Sequence, residues 1–287
     1  MILITGATGN LGSSVVAQLL KISTTDKFIV TSSNANGVKK LIDQGLNARL
    51  ANFTDISSLN QAFKDVEKIL LISTMDQNRF EQHKNVVDTA KAQGIKHIVY
   101  TSLAIKNIQT SGVKDLMISH FQTEEYIKES GLTYTILRNT MYADALTQML
   151  GENALNQDIN LPGGDGKVPY ALRREMGEGT ANLLLQDGHE NKTYNITGSA
   201  SFGYQDIAKV ISGITGNTIN YNDIPEDDFK GFLKQIGFPD FAIYLHSGTI
   251  YDIKTHQYEI ETKTLEELLS RPTASIETFV KELFNIN

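Results

Sequence analysis

Along the first 140 residues, short continuous apolar runs alternate with stretches whose apolar positions recur every three or four residues. Met1-Ile2-Leu3-Ile4-Thr5, Lys27-Phe28-Ile29-Val30-Thr31, Asn47-Ala48-Arg49-Leu50-Ala51, Lys68-Ile69-Leu70-Leu71-Ile72 and Lys96 to Ser102 read as five strands. The fourth is apolar without alternation, the pattern of a strand buried on both faces. Between the runs, Leu11, Val15, Leu19 and Leu20 mark a first helix, followed by short helices over Val38 to Gln44 and Ser57 to Phe63. Val86, Val87 and Ala90 mark the inner face of Arg79 to Gln93, which stops at Gly94. A helix from about Asp115 to Ser130 ends at Gly131, and Leu132 to Arg138 supplies a sixth strand. Strand and helix in strict alternation predict an α/β fold, a doubly wound parallel sheet whose ligands lie at the carboxyl ends of the strands.

Near residue 150 the alternation breaks. Leu161 to Lys167 is rich in turn residues, Arg173 to Gln186 and Tyr204 to Thr215 read as helices, and Lys192 to Thr197 as a strand. Short helices follow, among them Glu226 to Ile236 and Lys263 to Leu269, punctuated by Pro225, Pro239 and Pro272. The division expected is an α/β domain over residues 1–150 and a smaller, mainly helical lobe over 151–287. That lobe covers the strand ends and returns at least one segment to the main sheet. Phe229, Phe232, Phe238 and Phe241 are assigned mostly to its core.

Composition removes several chemistries. The chain of 287 residues has no cysteine, which excludes disulfides, thiolate catalysis and cysteine-ligated zinc. A formal charge of −7 and a pI near 5.4 argue against nucleic acid and anionic membrane as partners. No apolar stretch approaches the roughly 20 residues of a membrane span, and the chain opens directly on a core strand, so a cytoplasmic protein acting on a small molecule is expected. No metal site is expected.

The candidate chemistry starts at Gly6-Ala7-Thr8-Gly9-Asn10-Leu11-Gly12, where the first strand runs into the first helix. Such a junction needs one residue tolerant of positive φ, one without a Cβ beside a pyrophosphate, and one small enough for close packing of helix on strand. Gly6, Gly9 and Gly12 fit these requirements, with Thr8, Asn10 and Leu11 completing the loop, and make residues 1–150 the expected dinucleotide-binding Rossmann domain. The helix dipole favours an anion here by roughly 0.3–1 kcal/mol. The second strand ends in Ser32-Ser33-Asn34, where an adenosine ribose would lie. An acid there selects a 2′-hydroxyl and an Arg a 2′-phosphate; Ser33 and Asn34 leave NADP or NAD open. Asn52 and Phe53 are candidates for the adenine, and Asp55 for a helix cap. Ser73, Thr74 and Met75 continue the cofactor path, Thr101, Ser102 and Leu103 form its floor, and Asn139 to Tyr142 mark the reacting end.

With the glycine loop, Lys68 to Ser73, Val99-Tyr100-Thr101-Ser102-Leu103, Tyr134-Thr135-Ile136-Leu137-Arg138-Asn139 and Gly188 to Tyr194 in register, the chain resembles atypical short-chain dehydrogenases of the NmrA-like group. Within it, the bacterial NAD(P)H:quinone oxidoreductases and triphenylmethane-dye reductases look nearest. The resemblance implies a nicotinamide cofactor along the strand ends and a conjugated acceptor between the lobes. Two departures stand out. Quinone reductases of this type usually carry an Arg where Ser33 stands. The Tyr-x-x-x-Lys dyad of the wider superfamily is replaced by His120-Phe121-Gln122-Thr123-Glu124, which places His120 and Glu124 on one helix face as an expected pair. Hydride transfer to a conjugated acceptor makes modest acid–base demands, so Asn139 and Tyr142 are expected to position the reactants, with His120 a further candidate. The alternatives are a dinucleotide-binding redox sensor without turnover, and a nucleotide-sugar epimerase using Arg173 and Arg174 for a second pyrophosphate.

Overall fold

A computed structural model describes residues 1–151 and 153–286. In chain order its strands are β1 (Ile2–Ile4), β2 (Phe28–Ser32), β3 (Ala48–Leu50), β4 (Lys68–Leu71), β5 (His97–Leu103), β6 (Thr133–Asn139), β7 (Ile159–Asn160), β8 (Lys192–Ile196) and β9 (Tyr221–Asn222). Seven of them form one parallel sheet in the order β3-β2-β1-β4-β5-β6-β8. The order reverses between β1 and β4, and that switch point opens the crevice in which such sheets bind ligands.

The helices are α1 (Asn10–Ile22), α2 (Ala35–Asp43), α3 (Ile56–Ala62), α4 (Arg79–Ala92), α5 (Lys114–Glu129), α6 (Leu146–Leu150), α7 (Arg173–Leu184), α8 (Tyr204–Thr215), α9 (Glu226–Gln235), α10 (Asp240–Lys254), α11 (Thr264–Leu269) and α12 (Ile276–Leu283). Side chains alternate across a strand. Ile4, Val30, Leu70, Val99 and Leu137 therefore pack on one face against α1, α7 and α11. Their neighbours Leu3, Ile29, Ile69, Ile98 and Ile136 pack on the other against α3, α4 and α5. Leu20, placed on the inner stripe of α1 by its spacing, is instead 47% exposed. It lies one step beyond the Leu11, Val15 and Leu19 face, which alone meets the sheet.

The C-terminal part divides its allegiance. Strand β8 pairs with β6, and α7 lies along α1, so both complete the sheet layer. Helices α8, α9, α10 and α12 build a separate apolar cluster around Ile207, Ile211, Phe229, Ile250 and Phe279. A two-stranded parallel sheet, β7 with β9, edges that cluster. Helix α10 escapes a reading by apolar period because its buried face is Ser247, Gly248, Ile250, Asp252 and Ile253. Gly248 lies against Gly112 so closely that a Cβ on either would fall under 3 Å from the other's carbonyl oxygen. Asp252 ties the same junction by accepting from the Gly112 amide at 2.7 Å. Helix α12 was likewise not anticipated; Ser275 caps it. Phe232 and Phe241 are 54% and 44% exposed, a correction to their core assignment, whereas Phe229 is buried. Both exposed rings lie on outer faces of α9 and α10.

Candidate active site

A cleft of about 930 Å³ runs along the carboxyl ends of the strands, from the β1 loop to α10. Its size and mixed lining suit a cofactor together with a small second molecule.

One end is made of main chain. Gly6 adopts φ +61°, the left-handed turn that swings the chain from β1 into α1. Gly9 caps α1 and offers no side chain to its first-turn amides, and the first turn carries no acid. By contrast α2 and α3 are capped by Asn34 and Asp55. A Cβ on Gly12 would lie 2.1 Å from the Gly6 carbonyl oxygen, so the third glycine is required by the turn itself and not by packing of helix on strand. Gly177 of α7 sits on Ser14, and Gln18 donates to Asn182 at 3.2 Å, so α7 runs parallel to α1. The amino end of α7 is already met by Asp144, which accepts from the Arg173 amide at 2.8 Å, so the free amides on this stretch of cleft are those of α1. The uncapped amides of α1, its dipole and a turn with no room for a Cβ fit a diphosphate.

Along the strand ends, Thr8, Asn10, Leu11, Ser33, Asn52, Phe53, Ser73, Thr74 and Met75 border the cleft. Three expected contacts do not. Asn34 turns its side chain back to accept from the Gly37 amide at 2.9 Å, because the helix begins at Ala35 and needs a cap. Ser32 is buried beneath Gly37, where a Cβ would collide with its hydroxyl. Thr101 is a strut: its hydroxyl accepts from the Ser73 amide at 2.9 Å and stays under the floor that Ser102 and Leu103 provide. Asp55 caps α3 through the Ser57 amide at 2.9 Å.

The other end is made of side chains. Asn139 is the last residue of β6; its Nδ2 donates to the Tyr142 hydroxyl at 3.3 Å, and its Oδ1 is buried with no partner among the described residues. The Thr140 hydroxyl beside it is likewise unpartnered. Both residues border the cleft, so these two buried atoms fit a bound group that would satisfy them. The Arg173 guanidinium lies 4.5 Å over the Tyr142 ring, and burial raises the Tyr142 phenol above its ordinary value.

His120 and Glu124 do not pair, although they share a face of α5. Glu124, fully buried, accepts two bonds from Arg138 at 2.9 and 2.6 Å and one from Ser102 at 2.6 Å. His120 bonds through Nδ1 to the Tyr100 hydroxyl at 2.9 Å, and burial, then the Arg79 charge, holds it well below the usual imidazole range. Arg79 was missed by sequence reasoning. It is fully buried at the start of α4 and bonds only neutral partners, among them the Leu116 carbonyl at 3.0 Å and the Ser119 hydroxyl at 2.8 Å. Its local partners, the Thr74 carbonyl and the Met75 sulfur, carry no motif, and the rest come from α5, some forty residues on. The acceptor wall contributed by Met117, Met149, Leu245 and Tyr258 was also not foreseen.

The E. coli (strain K12) quinone oxidoreductase 2 is 33% identical to the chain over the full length of both. The structure of the NADPH-dependent quinone oxidoreductase from Escherichia coli, complexed with NADPH, superposes with a TM-score of 0.91 at 32% identity, covering 99% of this chain and 100% of that one. Citrobacter sp. triphenylmethane reductase gives 0.91 at 29% identity, over 99% of each chain. Residues 1–273 match the NmrA-like family model. With this sheet, this glycine turn and that match over nearly the whole sequence, the chain belongs to the NmrA-like family.

Proposed function

We propose that the chain is an NAD(P)H-dependent oxidoreductase that delivers hydride to a quinone or a similarly conjugated acceptor. The observation that carries this reading is one continuous cleft with a diphosphate cradle of bare amides at one end and a wall of methionine and leucine at the other. Bound NAD(P)H supplies the hydride. The chain's own residues do the rest. The first turn of α1 grips the diphosphate, and the orphaned Asn139 Oδ1 accepts from an amide or hydroxyl donor at the reacting end. Tyr142, pinned by Asn139 and by Arg173, holds the adjoining surface flat. Leu103, Met117 and Met149 exclude water from the face where the acceptor lies. Positioning of this kind is the main requirement when the acceptor itself delocalises the arriving charge.

The Escherichia coli relative is NADPH-dependent. Ser33 at the end of β2 supplies no positive charge, so the reading for this chain is weak discrimination between NADPH and NADH. The epimerase alternative loses its pair of arginines, because Arg174 is bound bidentately by Glu282 at 2.9 and 2.6 Å while Arg173 stacks on Tyr142. Single-turnover oxidation of NADH and NADPH with a benzoquinone tests the proposal. Acceleration by the protein with either cofactor is expected. Tight cofactor binding with no turnover across a panel of acceptors would instead mark a redox sensor.

A further inference from the structure

Beneath the acceptor end lies a buried string of polar side chains whose protons can be placed one by one. Thr123 donates its hydroxyl proton to the Ser119 carbonyl at 2.8 Å, so its oxygen accepts from His83 Nδ1 at 3.1 Å. His83 Nε2 in turn accepts from the Thr74 amide at 3.4 Å. Both bonds assign His83 as the neutral ring with its proton on Nδ1. The next member is Tyr100, fully buried and away from the cleft, whose hydroxyl has His120 Nδ1 as its hydrogen-bond partner at 2.9 Å. If His120 donated, the phenol's only other neighbour would be the Thr123 oxygen, which makes no well-formed hydrogen bond to it among the described residues and already accepts from His83, so the phenol proton would be poorly satisfied at a cost of about 1–3 kcal/mol. The phenol therefore donates, and the imidazole proton is driven to Nε2. His120 borders the cleft, and with Nδ1 turned down to Tyr100 its Nε2 edge is on the cleft side.

We propose that Tyr100 is a positioning residue that fixes His120 as the Nε2-protonated neutral ring, and that this N–H meets the lone pair of the acceptor's carbonyl oxygen or azo nitrogen. The proposal rests on the oxidoreductase reading and narrows its substrate class to acceptors with such a lone pair. As hydride reaches the acceptor ring, its two electrons place a negative charge on the carbonyl oxygen. That oxygen later takes a proton from water, while His120 stabilises the charge by a hydrogen bond and keeps its own proton. Arg79 adds to the effect: its guanidinium bonds only neutral groups, so its positive charge is not spent on a carboxylate within the network. A buried cation below an N–H donor favours charge arriving on oxygen and disfavours a cationic dye.

The test uses the full chain labelled with ¹⁵N-histidine. Long-range ¹H–¹⁵N correlation spectra, assigned with His120→Leu, are expected to show His120 protonated on Nε2 in the wild type and to lose that pattern in Tyr100→Phe. With benzoquinone, His120→Leu should lower kcat about a hundredfold, as loss of a donor to a developing oxyanion does. His120→Gln, which retains an N–H donor, should recover to within tenfold of wild type, and Tyr100→Phe should fall about tenfold with NAD(P)H affinity unchanged. A wild-type His120 protonated on Nδ1, or a His120→Leu variant as fast as wild type, overturns the proposal. Cofactor binding without any quinone reduction by the wild type overturns the oxidoreductase reading and the donor role with it, while the spectrum still decides the tautomer.

Discussion

The two ends of the cleft are built by opposite means. At the β1 loop the contacts are main chain, seven residues long and contiguous, with helix amides left free for a ligand. At the acceptor end the contacts are side chains drawn from α4, β5, α5, β6 and α10, and most satisfy one another before any ligand arrives. A backbone cradle concentrates its function in a few torsions, so damage there should cost affinity and leave the fold standing. A buried network of polar side chains concentrates stability, because each member is the partner of another. Its damage should be felt first as unfolding.

The largest effect should come from Glu124→Leu. It removes the carboxylate that holds Arg138 and Ser102, and a buried pair broken on one side costs about 3–5 kcal/mol. Urea unfolding should show that loss, and cofactor affinity measured on the remaining folded protein should change less than threefold. Adding Arg138→Met to the same chain should restore much of the stability, since an apolar replacement of the whole pair removes the stranded charge. A double variant as unstable as the single one would mean that Ser102, not Arg138, is the partner that matters.

Next comes Gly12→Ala. The new methyl would lie 2.1 Å from the Gly6 carbonyl, an atom of the turn that cannot move without opening the cradle. NAD(P)H affinity should fall at least about a hundredfold, equivalent to about 2.7 kcal/mol. Gly9→Ala, where the same atom is 3.3 Å away, should be milder. Fluorescence titration of NADH and NADPH ranks the two, and equal losses would show that approach to the Gly6 carbonyl is not what limits the loop.

The same contrast explains what could be read from the sequence. The strands, the glycine turn and the exits at Ser33, Asn52, Ser73, Ser102 and Asn139 are local consequences of strand period and turn chemistry, and all five exits border the cleft. Asn34 failed because a helix N-cap and a ribose contact demand the same residue type, and the helix began three residues earlier than its apolar pattern implied. His120 and Glu124 failed because spacing on a helix says who shares a face, not which neighbour across the core is a better partner. Arg138 and Tyr100 won, both from strands whose register with α5 no local pattern encodes. Helix α10 was invisible because it packs by glycine contact and a buried aspartate.

Ser33→Arg would sharpen the picture of the loop end. A guanidinium at the tip of β2 adds one charge-assisted contact to a 2′-phosphate, worth about 1.5–3 kcal/mol. The ratio of NADPH to NADH affinity should shift tenfold to a hundredfold toward NADPH, at low salt, with quinone kcat unchanged. An unshifted ratio would show that the ribose does not lie at Ser33.

The smallest effect, per unit of pH, separates the two ends by acid. His83 and His120 both sit in the acceptor network as neutral rings, and burial followed by the Arg79 charge pushes His83 down to about 3 from an ordinary 6.5. The unfolded chain binds a proton at His83 as pH falls through 6.5, and the folded chain does not until about pH 3. Between those values the unfolded state holds more protons, so stability falls on acidification, by about 1.4 kcal/mol per pH unit for each such histidine. Below pH 5 the carboxylates add their own slopes, so the informative comparison is with His83→Gln, which removes one proton from the balance. Urea unfolding between pH 6.5 and 5 should be less steep in the variant by that one-proton slope. Hydrogen exchange at pH 5 should open α4 and α5 before α1 and α7, because the loop end has no buried imidazole to charge. Identical slopes for variant and wild type, or earlier opening of α1, would mean that the acceptor network is not the acid-sensitive half of the cleft.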